Sequence, residues 1–175
     1  MAEYLRAQGL PVLVWLDDFY ITTAHFSRAL GPEEQYASAR QTTSLALCVF
    51  YRAGYFMSVS KCVFEPTTRL VFLGVICDSD LQRFEDPPDK LVKLEAILKA
   101  AISAWSISFA TLEKLAGKCT GMSVAVPAAG LYTHHMYKQM ANFRRTGGSK
   151  ASTEISVATN SGLGSELERW LDVDT

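Results

Sequence analysis

The strongest constraint on the fold is a change of hydrophobic period at Asp86-Pro87-Pro88-Asp89. Before it, apolar residues come in short runs bounded by Gly, Pro and Asp, which read as strands and turns. After it, they recur every three or four residues. The tetrapeptide itself predicts a helix start, with Asp86 as N-cap, proline at N1 and a carboxylate at N3. Leu91, Leu94, Leu98, Ala101 and Ile102 then form one apolar stripe, and Lys90, Lys93 and Lys99 lie mainly off it. A second helix is expected from near Ser108, with Leu112, Leu115, Ala116, Cys119 and Met122 inward. Gly117 and Gly121 each weaken it by about 1 kcal/mol relative to Ala, so close helix packing is the expected compensation. Pro127 is read as opening a third helix, in which Tyr132, Met136, Met140 and Phe143 share a face. Strands followed by segregated helices give an α+β class: a small antiparallel sheet with a flanking helix, then a three-helix bundle.

Within the first part, one stretch carries chemistry. Two β-prone runs, residues 12–16 and 19–23, flank Asp17-Asp18. The pattern is strand, acidic turn, strand. Such a tip is either a solvated turn, since Asp bonds nearby backbone amides, or a metal site. Gly31-Pro32-Glu33-Glu34 then starts a helix that runs to about Ala53, with Ala37, Gln41, Leu45, Cys48 and Val49 as its inward stripe. Gly54 is placed to take the left-handed conformation that ends it. Residues 70–76 read as one apolar strand.

Composition narrows the class. The 175 residues are 49% apolar and 20% charged, which is ordinary for a globular chain. No apolar run approaches the ~20 residues that span a bilayer, and no secretory leader is evident. The four cysteines form no CxxC pair, so reduced thiols in an intracellular protein, cytoplasmic or nuclear, are expected. Net charge is −1, but residues 1–87 carry 7 Lys/Arg against 10 Asp/Glu, residues 88–150 carry 9 against 3, and residues 151–175 carry 1 against 5. A basic middle behind an acidic site suits a chain that holds a polyanion beside working carboxylates. Lysines decorating solvated helix faces explain the charge alone equally well.

The order of the pieces resembles the second half of a reverse transcriptase, most closely those of DIRS-like, tyrosine-recombinase retrotransposons. Trp15-Leu16-Asp17-Asp18 matches the aromatic-x-Asp-Asp palm motif. Gly54, Ser60-Lys61-Cys62 and Phe64 match the palm segment after it, and Phe72-Leu73-Gly74 the strand beside the primer terminus. Pro88-x-Lys90-Leu91, Leu112-Glu113-x-Leu115-Ala116-Gly117-Lys118, Ala125-Val126-Pro127 and Leu131-Tyr132 look like the thumb. Glu166-Leu167-x-x-Trp170-Leu171 is similar to the connector toward a ribonuclease H domain. The resemblance covers residues 4–143 well and the tail weakly. It implies a partial palm over residues 1–86, a thumb over 87–143, and a linker with the start of a connector over 144–175.

The resemblance also implies a chemistry. Nucleotidyl transfer to a primer 3′ end uses two Mg²⁺ (or Mn²⁺) ions ~3.5–4 Å apart, held by carboxylates. Asp17 would be the metal ligand and Asp18 its support. Lys61 would protonate the departing pyrophosphate or neutralise its charge; a plain surface lysine is the equal alternative. Trp15, Phe72, Leu73, Gly74, Lys90, Lys93, Lys114 and Lys118 would meet an RNA or DNA template-primer duplex, with dNTP as the other partner. Trp15 replaces the usual tyrosine of the motif. The family's site needs another Asp from a strand before this hairpin, and only Glu3 is acidic among the residues preceding Asp17. The fingers and the ribonuclease H carboxylates also lie outside the sequence, so the chain alone is expected to lack polymerase activity. Two rivals stand beside this reading: a non-catalytic nucleic-acid-binding remnant, and an unrelated α+β interaction domain in which Asp17-Asp18 is only a turn. His134-His135 reads as one exposed and one partly buried histidine. Trp105 is expected to pack at the end of the first thumb helix, and Trp170 to cover an adjoining domain.

Overall fold

The computed structural model describes residues 1–23, 30–146, 154–158 and 161–172. Among these are six helices and three small antiparallel sheets, an α+β architecture, divided into units of Met1–Thr68 and Arg69–Thr175. The change of period at residues 86–88 therefore falls inside the second unit. The Gly/Ser-rich stretch read as a linker lies outside the described residues from 147 to 153.

The first unit is built on α1 (Ala2–Ala7), the hairpin β1 (Val12–Trp15) and β2 (Asp18–Ile21), and α2 (Pro32–Arg52). Opposed residues Val12 and Ile21, and Val14 and Phe19, share the inner face of the hairpin. They pack with Leu5, Leu10, Ala46 and Phe50. Phe19 meets Phe50 edge to face, centroids 4.8 Å apart. Helix α2 ends where the sequence says it should. Gly54, at φ 75°, lets Tyr55 N–H reach the carbonyl of Phe50 and its own N–H reach that of Tyr51, the double bond of a Schellman end.

The inward face of α2 is not the expected one. Val49 packs against the hairpin core as expected, but Ala37, Gln41, Leu45 and Cys48 are exposed, and Ala46 and Phe50 are buried. Residues 45–50 are apolar all round, so periodicity leaves the orientation open. Phe50, the largest side chain there, decides it by filling the gap between the hairpin and Tyr55.

The second unit begins with a three-stranded antiparallel sheet, β3 (Arg69–Phe72), β4 (Val75–Asp78) and β5 (Arg83–Glu85). The single strand expected over residues 70–76 is thus a tight hairpin. Phe72 pairs with Val75, and the two residues between, Leu73 and Gly74, have φ 51° and 75°. Two positive φ values in a two-residue loop match the right-handed twist of the strands.

Helices α3 (Pro88–Ser103), α4 (Phe109–Gly121), α5 (His134–Thr146) and α6 (Gly162–Leu171) then close on one core. A short ladder, β6 (Ser106–Ser108) with β7 (Glu154–Ser156), flanks them. Stripes read from the sequence are the buried ones: Leu94, Leu98 and Ala101 on α3, and Leu112, Leu115, Ala116, Cys119 and Met122 on or just after α4. Ser108 caps α4 by accepting the Thr111 N–H at 3.2 Å.

Several expectations fail here. The N-cap of α3 is Pro87, with Asp86 one residue outside it. Pro127 opens only a turn, and α5 starts at His134 after a 3-10 turn at Leu131–Thr133. Gly117 and Gly121 face open space, so no close packing offsets their weakness as helix formers. Trp105 is 88% exposed. Trp170 covers no other domain: it is buried in this core, its indole N–H donating to the Tyr132 carbonyl at 2.7 Å.

Candidate nucleotidyl-transfer and nucleic-acid-binding residues

The register of the first hairpin fixes where its carboxylates stand. Trp15 pairs with Asp18, so the turn consists of Leu16 and Asp17, one residue earlier than an Asp17-Asp18 turn. Asp17 sits at the tip. Asp18 begins β2 and shares the outer face with Leu13, Trp15 and Tyr20. Both carboxylates are exposed. The turn needs positive φ at its first residue, and Leu16 supplies it at 56°, with its side chain 87% exposed. A non-glycine residue in that region costs roughly 1–2 kcal/mol. Trp15 is 62% exposed, so the tyrosine-to-tryptophan difference from the motif meets no steric limit.

Two adjacent carboxylates offer hard oxygen donors of the kind Mg²⁺ takes. They do not compose a site. Among the described residues no three His, Cys, Asp or Glu side chains stand close enough to hold an ion together. Among the described residues, then, Asp17 and Asp18 stand without a third ligating side chain.

Lys61 closes a 3-10 turn at Val59–Lys61, exposed, in the same unit as the hairpin. The remaining candidates belong to the second unit. Phe72 is half-buried at the end of β3, and Leu73, 51% exposed at the turn, is not explained by burial. Lys93 is tied to Asp89 at 2.9 Å. That bond holds the Asp89 carboxyl below its ordinary pKa. Lys114 and Lys118 lie one turn apart on α4, exposed and half-buried respectively. Lys90 is different from these. Its ammonium lies 3.9 Å from Asp86 and over the backbone of Gly74, where a Cβ would come within 3.0 Å of Nζ.

Asp86 is the residue that pattern reading misjudged. Its side chain has no exposed surface, and neither oxygen accepts a hydrogen bond among the described residues. Burial pushes its carboxyl above the usual range, with the Lys90 charge acting in the opposite sense. As an N-cap it would have been satisfied by the helix. No sequence signal distinguishes the two situations.

A second buried carboxylate, read in the sequence only as part of the connector-like stretch, is fully used. Glu166 on α6 accepts the N–H groups of His135 (2.7 Å) and Met136 (2.9 Å) at the start of α5. Those are orphan donors of a helix N-terminus, where negative charge is favoured. Nearby, burial and then the Glu166 charge push the Cys119 thiol up to about 12, so it is inert at neutral pH. His134 is exposed and His135 half-buried, as expected, with the His135 ring seated against Gly162.

No protein-family model, curated protein or solved structure matches this chain. No described helix is long and apolar enough to cross a membrane.

Proposed function

We propose that this chain is the palm hairpin and thumb of a retroelement reverse transcriptase, contributing one carboxylate pair and a duplex-holding helical unit to a larger active site. The observation that carries the reading is the hairpin tip. A two-residue turn holds Asp17 outward with Asp18 directly after it, where a metal-bound triphosphate and a primer end would have access. The ordered segments behind it, and the excess of Lys and Arg over residues 88–150, support the same reading. In the complete enzyme Asp17 would ligate Mg²⁺ or Mn²⁺, which activates the primer hydroxyl. Asp18 would steady the tip. The further carboxylate comes from a segment other than this chain.

Two measurements test this. Primer extension on an RNA template by the purified chain is expected to be absent; measurable extension would overturn the claim of an incomplete site. With a primer-template duplex bound, Mn²⁺ is expected to broaden the amide signals of residues 16–19, and Asp17→Ala to abolish that broadening. Salt-sensitive duplex binding without broadening would favour a non-catalytic binding remnant, a reading that the self-contained second unit also accommodates. Failure to bind both duplex and metal would leave an interaction domain with an acidic turn.

A further inference from the structure

Buried carboxylates are almost always paired or hydrogen-bonded, because removing the charge from water is otherwise expensive. Asp86 is buried completely and accepts no hydrogen bond among the described residues. The ammonium of Lys90 stops at 3.9 Å from it, beyond hydrogen-bond range. Nζ and Cε lie 3.0 Å and 3.3 Å from where a Gly74 side chain would begin, so the ammonium sits against the β3–β4 turn and a larger residue at 74 would crowd it. The result is an ammonium held between a carboxylate and a backbone turn. Its side chain is 38% exposed, against 65% and 64% for Lys93 and Lys99 on the same helix.

From this geometry we propose that Asp86 is a positioning residue: it fixes the Lys90 ammonium over the Gly74 turn as a preorganised contact for one backbone phosphate of a nucleic-acid duplex. The inference rests on the nucleic-acid reading above. Lysine is a compact point charge that normally loses much side-chain freedom on binding a phosphate. Here that freedom is already restricted, and the donors not facing Asp86 remain for a ligand. Lys93 and Lys99 instead reach carboxylates on their own helix surface and are solvated.

The sign of one substitution separates this from simple electrostatics. Asp86→Asn removes a negative charge near the phosphate, so a purely Coulombic view expects tighter duplex binding. Positioning through Asp86 expects weaker binding. The test is fluorescence anisotropy of the full chain with a primer-template duplex across a salt series. Lys90→Gln should lower the slope of log K against log salt by about 1, the signature of one lost phosphate contact. Asp86→Asn should weaken binding by less than Lys90→Gln, and the double variant should match Lys90→Gln alone. Gly74→Ala, which crowds the lysine by a few tenths of an ångström and strains the φ 75° turn, should move the slope toward that of Lys90→Gln and carries the test if Asp86→Asn fails to fold. Wild-type binding with Asp86→Asn and Gly74→Ala equal to or tighter than it would overturn the positioning role and leave the wider reading standing. No duplex binding by the wild type would overturn the wider reading, and this inference with it.

Discussion

The two units differ in how completely they bury themselves, and the difference falls on function. In Arg69–Thr175, nineteen buried apolar residues among those described, from all four helices, the α4–α5 connection and the short β6–β7 ladder region, close one core. In Met1–Thr68 the corresponding set is five: Leu5, Leu10, Val12, Ala46 and Phe50. The same unit leaves Trp15, Leu16, Tyr51, Phe56, Val59 and Val63 exposed. The hairpin that carries Asp17 therefore stands on few contacts. The α3 and α4 lysines and the Asp86 site belong to the unit with many. A binding surface on the better-packed unit fits its rigid task, and a hairpin tip with little beneath it is the part most sensitive to change.

The largest test of that contrast is Phe50→Ala. Phe50 joins the hairpin to α2 through Phe19 and to the chain beyond through Tyr55. Truncating a buried Phe costs about 3–5 kcal/mol. Native-state hydrogen exchange should lose protection across β1, β2 and α2 together, since Phe50 packs on both the hairpin and the chain after α2. Leu115→Ala in the larger core, about 2–5 kcal/mol, should instead loosen α4 and its neighbours while leaving a folded unit. Comparable local effects of the two substitutions would mean the first unit is better supported than its buried set implies.

A pair of glycines sharpens the comparison within the larger unit. A Cβ at Gly162 would fall 2.3–2.7 Å from three atoms of the His135 ring, at the junction that Glu166 holds. Gly162→Ala should destabilise by about 1–3 kcal/mol through overpacking, and His135→Ala in the same chain should recover part of it. Gly117 has open space around it, so Gly117→Ala should stabilise by about 1 kcal/mol through helix propensity alone. Urea unfolding of the variants reads both signs.

Asp86 gives a smaller effect with a pH signature. Its folded-state pKa lies above the ordinary value of 3.8, so the folded chain binds that proton more tightly than the unfolded chain does. Stability from this group is thus present below 3.8 and is lost as pH rises through the folded pKa. Lys90 opposes the shift; the nearby Glu85 is engaged by Arg83 at 2.6 Å and by Arg69. Asp86→Asn should raise stability near neutrality by roughly 1–2 kcal/mol, in line with other buried ionic groups replaced by neutral ones. The gain should shrink as pH falls through the folded pKa and be lost once pH is below 3.8. A gain at neutral pH joined to weaker duplex binding would mark Asp86 as kept for position at the expense of stability.

What the sequence made legible follows from how strongly each feature constrains the backbone. The α3 and α4 stripes, the Ser108 cap and the Gly54 stop were readable because period, cap chemistry and positive φ each select one structure. The orientation of α2 was not, since residues 45–50 are apolar on every side. The β3–β4 hairpin was hidden inside a continuous apolar run, with Gly74 the only sign of a turn. Asp86 and Glu166 show the same limit for the candidate sites. Each acid sits at a helix N-terminal position or on a helix face where a local role is plausible, and only the folded chain shows one orphaned beside Lys90 and the other capping a different helix. Asp17 was legible as a tip residue, and among the described residues no cluster of three ligating side chains includes it.

The smallest predicted effect concerns that tip directly. Leu16 holds φ 56° with its side chain 87% exposed, so neither packing nor backbone preference accounts for leucine there. Gly at the same position removes the steric cost of the left-handed conformation but adds freedom to the unfolded chain. The balance should be a gain of about 0.5–1 kcal/mol for Leu16→Gly, seen as slower amide exchange at residues 15–18. If the tip only turns the chain, the gain should come with no change in duplex or Mn²⁺ binding. A gain in stability joined to loss of Mn²⁺ broadening at residues 16–19 would show that the strained leucine holds Asp17 in the orientation that function uses. Unchanged or lower stability would mean that Leu16 packs on something the isolated chain already provides, and the view of the first unit as thinly supported would need revising at its most exposed point.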